Sequence, residues 1–162
     1  MTTRTLVAGI GNIFNGDDGF GSEVAQRLVA LPAREGIRVE DYGIRGVHLA
    51  YELLEGYDLL VLIDALSRGD APGTVYVLEP DVDLDAVPPL DSHQMDPRAV
   101  LGMVAELGGE IGRVLVVGCE PADMGEGIGL SPAVAAAVDG AVRLVGEITS
   151  QHDLTTGKKD IG

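Results

Sequence analysis

The sequence predicts an α/β protein: a single three-layer α/β/α domain whose central sheet is mostly parallel. Three observations carry this. Strand-like apolar runs alternate along the chain with segments of helical spacing. Two of the runs, at residues 59–63 and 114–117, are unbroken aliphatic stretches, the pattern of strands buried on both faces. The chain has 162 residues, 46% of them hydrophobic but only 4% aromatic, which suits one sizeable aliphatic core.

Each element has its own signal. Residues 5–9 form a short apolar run, read as the first strand. Phe20, Val24, Leu28 and Leu31 recur at helical spacing, and Pro32 stops that helix. Ile37 and Val39 alternate with polar residues, as on a half-buried strand. Residues 48–54 read as helix, with Gly56 suited to its C-terminal cap. The central strand follows at 59–63, and residues 73–78 are β-prone. Asp96-Pro97 is a helix opening, N-cap then first turn, with Val100, Val104 and Leu107 along one face. After the strand at 114–117, Ser131-Pro132 opens a last helix carrying Val134, Val138, Ala141, Val145 and Ile148. Residues 151–162 lack apolar periodicity and hold both lysines, so the domain is read as 1–150 and the rest as a disordered tail.

Charge and composition exclude several functions. The 26 acids against 11 bases give a net charge of −15. Nucleic acid and anionic membrane both call for a basic face. A single Cys excludes a disulfide framework and any Cys-clustered metal site. No apolar run approaches the length needed to cross a bilayer, and no signal-peptide core precedes the first strand. The cytoplasm is the expected location.

In parallel sheets ligands sit beyond the carboxyl ends of the strands, so those positions decide function. After the first strand comes Gly9-Ile10-Gly11-Asn12, then Asp17-Asp18-Gly19. A dinucleotide fingerprint would need glycine at 14, which is Phe, and paired carboxylates would repel a pyrophosphate. Asp17 is assigned to helix capping and Asp18 to chemistry, so substituting Asp17 is expected to matter much less. Asp64 ends the buried central strand, where a carboxylate is costly unless paired or ligated. His93 stands in a loop within Ser92-His93-Gln94. Two carboxylates and one imidazole from separate loops make a metal or acid–base set with open positions.

Other signals fail. Asp81, Asp83 and Asp85 begin like a calcium loop, but Ala86 and Ser92 occupy positions that need Gly and Glu. Cys119 follows a strand and is read as buried and inert. No Gly-x-Ser-x-Gly elbow is present.

The ordered set extends further. It continues through Asp41-Tyr42-Gly43-Ile44-Arg45-Gly46, Asp64-Ala65, Pro72-Gly73-Thr74, Ser92-His93-Gln94, Gly118-Cys119-Glu120-Pro121 and Gly129-Leu130-Ser131-Pro132. In this order and spacing it resembles the nickel-iron hydrogenase maturation endopeptidases, over about residues 4–148. The resemblance implies a three-layer fold and one reaction: removal of a C-terminal extension from the precursor of the hydrogenase large subunit, after nickel insertion. It also implies that Asp18, Asp64 and His93 are the metal-contacting and catalytic residues. Nickel would be recognised on the substrate and not held tightly by the free enzyme. The three residues could grip that nickel, use the metal as a Lewis acid, or act as general bases; the sequence leaves these open. Two other classes stay as alternatives, a non-cleaving maturation chaperone on the same fold and a dinucleotide-binding oxidoreductase.

Overall fold

A computed structural model of the chain describes the backbone of residues 3–80 and 97–161, and the side chains of residues 3–80 and 98–150. Among the described residues five strands form one sheet: β1 (Thr5–Ile10), β2 (Ile37–Gly43), β3 (Leu59–Ala65), β4 (Val75–Leu78) and β5 (Arg113–Cys119). Their order across the sheet is β2-β1-β3-β5-β4. Four are parallel, and β4 alone runs antiparallel on the edge beside β5. Among the same residues four α-helices flank them: α1 (Phe20–Val29), α2 (Gly46–Leu53), α3 (Pro97–Glu106) and α4 (Pro132–Ile161).

Side chains alternate across a strand, so the central strands supply both cores. Leu6, Ala8, Ile10, Leu60, Leu62, Val114 and Val116 pack with α2 and α3 through Leu49, Leu53, Leu101 and Val104. Val7, Leu59, Val61, Ile63, Leu115 and Val117 pack with α1 and α4 through Phe20, Val24, Val134, Val138 and Val145. The predicted three-layer α/β/α fold is therefore present, with an aliphatic core on each face.

Several element boundaries differ from the sequence reading. Helix α1 stops at Val29, and Leu31 is exposed instead of extending the apolar stripe. Pro32 has no N–H for the carbonyl four residues back and disfavours helical geometry in the residue before it. Strand β2 runs on through Tyr42 to Gly43, beyond the Ile37–Val39 alternation. Its register shifts at Gly9 and Ile10, so that Ile10 pairs with Gly43.

The apolar spacing along α4 ends at Ile148, yet the helical backbone runs to Ile161. No proline follows Pro132, and the single interior break beyond Ile148, Gly157, costs only about 1 kcal/mol. Helix continuation does not require docking. Truncation after Ser150 is expected to leave activity unchanged and to move the melting temperature by less than about 2 °C. Thermal denaturation of the truncated chain checks this, and a larger loss would mean that 151–162 packs on the domain.

Among the described residues no helix is long and apolar enough to cross a membrane.

Candidate functional site

From β2 the chain crosses over β1 to reach β3, so the loops leaving β1 and β3 diverge onto opposite faces. A crevice opens beyond the carboxyl ends of such a strand pair. Asp18 enters it from the loop after β1, and Asp64 from the end of β3. The two line one cleft of about 850 Å³ together with Gly11, Ile44, Arg98 and Met124. The sequence-selected carboxylates are thus brought together. His93 and His152 lie outside the residues whose side chains are described, and His48 is an exposed residue of α2.

Close approach of backbone makes this geometry possible. A Cβ on Gly21, in the first turn of α1, would strike the Ile63 and Ile10 carbonyls, so only glycine lets the helix start sit against the ends of β1 and β3. Gly11 adopts φ +131°, and a Cβ there would strike the Asp18 carbonyl. The loop therefore folds back tightly and aims Asp18 at the cleft. Asp18 accepts a hydrogen bond from the Asn12 N–H at 2.9 Å. Burial raises its carboxyl above the usual range despite that bond.

Asp64 is 4% exposed. It continues the Leu60–Leu62 side of β3, and its Oδ1 accepts the Ala65 N–H at 2.8 Å. Across the sheet it stands beside Gly118 of β5. A Cβ at 118 would collide with the Tyr76 ring, which fills that space. The Tyr76 hydroxyl in turn donates to the Leu66 carbonyl at 2.7 Å and fixes the loop behind Asp64. Burial, above all, raises this phenol to about 12, so it stays a donor.

Asp17 corrects the sequence reading. It makes no cap bond to α1; the start of that helix has no side-chain cap. It is fully buried and instead receives the Ala122 and Asp123 N–H groups and the Ser131 hydroxyl on Oδ2, at 2.8, 3.0 and 2.8 Å. Its Oδ1 receives the Ser131 N–H at 2.7 Å. Burial alone would raise its pKa, but these donors outweigh it and hold the carboxylate below its usual range. Asp17 therefore pins the β5–α4 loop against the β1 loop beside Asp18.

Two further acids escaped sequence reasoning as working residues. Glu120 directly follows β5, and its carboxylate accepts the Arg68 and Gly69 N–H groups at 2.7 and 3.3 Å. It shapes the loop after β3. The strand-end rule that selected Asp64 applies equally to Glu120. Asp41 joins β2 to α1, accepting from Ser22 Oγ at 2.7 Å and Gln26 Nε2 at 3.1 Å. It also accepts the Gly43 N–H at 3.1 Å, setting the turn that delivers Ile44 to the cleft. Cys119 is buried, and burial foremost, with the Asp17 and Glu120 charges, raises its thiol to about 11. It is not a nucleophile at neutral pH.

Chemically, two carboxylates face one open cleft, one of them biased toward holding a proton. Hard oxygen donors of this kind suit a divalent ion or a proton-transfer role. Among the described residues no group of three His, Cys, Asp or Glu side chains is close enough to hold a metal alone. A dinucleotide is disfavoured, because the α1 entrance carries two carboxylates and Phe14 stands exposed where the fingerprint needs glycine.

Comparison with known proteins agrees. A family model described as hydrogenase maturation protease matches residues 23–148, a span that includes Asp64 and His93 and begins just after Asp18. The hydrogenase expression/formation protein HupD of Rhodobacter capsulatus is 34% identical over 146 residues, covering 86% of this chain and 68% of that protein. The hydrogenase 2 maturation peptidase of Thaumarchaeota archaeon SCGC_AB-539-E09 is 29% identical, with a TM-score of 0.71 over 91% of this chain and 99% of that one. The NiFe hydrogenase maturation protease HycI of Thermococcus kodakarensis KOD1 is 26% identical, with a TM-score of 0.69 over 90% and 92%. The cleft with its paired strand-end carboxylates is thus the candidate active site of a peptidase, and the chain belongs to the hydrogenase maturation protease family.

Proposed function

We propose that this chain removes a C-terminal extension from the large-subunit precursor of a nickel-iron hydrogenase, and that it does so once nickel has been inserted. The observation that carries the reading is the pairing of Asp18 and Asp64 in one cleft at the sheet's switch point, within a chain of this peptidase family. The cleft is large enough for a short extended peptide.

In this proposal Asp18, Asp64 and His93 grip nickel carried by the substrate. Two carboxylates and one imidazole, without a thiolate, form a weak site for a divalent ion on their own. The remaining ligands come from the precursor. An empty precursor then offers the three residues nothing to hold, and cleavage becomes a test of completed insertion. The cytoplasm, where a precursor is assembled, is the proposed location.

Mass spectrometry of nickel-free and nickel-loaded precursor after incubation with the purified chain tests this. Cleavage of the loaded form alone is expected, with less than stoichiometric metal in the isolated protein. Equal cutting of both forms, or stoichiometric metal in the isolated chain, would overturn nickel recognition. An uncut but tightly bound precursor would instead favour the chaperone reading.

A further inference from the structure

We infer that Phe14 and Ile128, with Ile13, form a docking ledge beside the cleft that receives an apolar segment of the precursor flanked by basic residues. The inference rests on the function proposed above and names how the substrate is held away from the scissile bond.

Large apolar side chains are exposed here on loops the fold has no need to leave bare: Phe14 is 60% exposed and Ile128 is 79% exposed. Exposed apolar side chains on two loops tied together beside a cleft are placed to meet an apolar partner. The ledge is fixed in place. Asn12 Oδ1 accepts the Phe14 N–H at 2.9 Å. The Phe14 carbonyl accepts the Gly127 N–H, and the Gly127 carbonyl accepts the Gly16 N–H, both at 2.8 Å. A bridge between Asn15 and Gly127 thus sets Phe14 and Ile128 one residue to either side of it. Asp17 anchors both loops from beneath. A rigid apolar surface loses little entropy when it binds.

Position and charge select the occupant. Met124, on the same loop as Ile128, and Asn12 and Asn15, on the same loop as Phe14, line the cleft, so both loops of the ledge border the candidate active site. Asp123 and Glu126, also on this loop, are exposed, and the whole chain carries a net charge of −15. A second copy would bring these acids face to face. A partner segment with Lys or Arg beside its apolar residues complements them.

The test compares wild type, Ile128→Ser alone, and the Phe14→Ser/Ile128→Ser pair on nickel-loaded precursor. Val29→Ser, an exposed apolar position at the C-terminal end of α1 that does not line the cleft, is the control. The expected result is a KM raised about tenfold in the pair and several-fold in Ile128→Ser, with kcat within about twofold, unchanged melting temperature and an unaffected control. Added salt or Glu126→Lys should raise KM further. An unchanged KM in both variants, while wild type still cuts, would overturn the ledge and leave the proposed activity standing. Wild type that neither binds nor cuts the precursor would overturn the activity and the occupant together. Self-association of wild type that Ile128→Ser abolishes would assign the ledge to a homodimer and overturn the inference.

Discussion

Asp64→Asn is expected to fold like the wild type and to cut the nickel-loaded precursor at least about 10²-fold more slowly. The two halves of this result have separate causes. The end of β3 is set by the aliphatic run before it and by pairing with β1 and β5, none of which involves the Asp64 side chain. An Asn Oδ1 can still accept the Ala65 N–H, so the melting temperature should stay within about 2 °C. The lost function lies in the charge. An amide is a weak ligand for a divalent ion and cannot accept a proton at neutral pH. Asp18→Asn should behave alike, since an Asn side-chain oxygen can still accept the Asn12 N–H while the carboxylate that ligates or transfers a proton is gone. Cleavage assays with calorimetry on the same samples check both halves. A folded Asp64→Asn chain that cuts at the wild-type rate would remove Asp64 from the mechanism.

The fold was legible because its signals are local. Residues 59–63 are five consecutive aliphatics, and a strand buried on both faces requires that composition. The edges were less legible. Strand β4 has four residues, and nothing within them shows that it runs antiparallel beside β5. Strand β2 ends at Gly43, whereas its sequence reading stopped at Val39, because what accompanies its last residues, pairing of Gly43 with Ile10 and the Asp41 bond from Ser22, involves residues far away in the chain.

The site divides in the same way. Asp18 and Asp64 were legible because each stands in a segment leaving a parallel strand, a matter of sequence position alone. His93 came from its loop pattern and from the family resemblance. It lies outside the described residues, so its place in the site remains part of the proposal. Asp17 and Glu120 were not readable as positioning residues, because their partners are far along the chain. The N–H groups that Asp17 accepts are up to 114 residues away, and the Arg68 N–H bound by Glu120 is 52 residues away. A carboxylate beside a helix start has a common local explanation, capping, and only the three-dimensional contacts displace it.

That displacement reverses an expectation drawn from sequence. Asp17→Asn should be among the most destabilising single substitutions in the chain, costing about 3 kcal/mol and lowering the melting temperature by ~6–12 °C. The carboxylate is fully buried and accepts four hydrogen bonds, three of them from backbone N–H groups that have to be satisfied. An amide must turn its NH₂ toward either the Ser131 N–H or the Ala122 and Asp123 pair. Whichever way it turns, donor meets donor. The pH dependence has its origin in the same contacts. The folded carboxyl is held below its unfolded value, so its contribution is complete above an unfolded pKa near 3.9. It is lost as pH falls below that value through the folded pKa. The wild type should therefore lose more stability on acidification through this range than Asp17→Asn does. Activity should fall too, through looser placement of the loop that carries Asp18, and this loss should be partly recovered at low temperature as the Asp64→Asn loss is not. Melting curves of the two proteins between pH 7 and 3 measure the difference. An Asp17→Asn chain with wild-type melting temperature at neutral pH would show that the two loops hold together without this carboxylate.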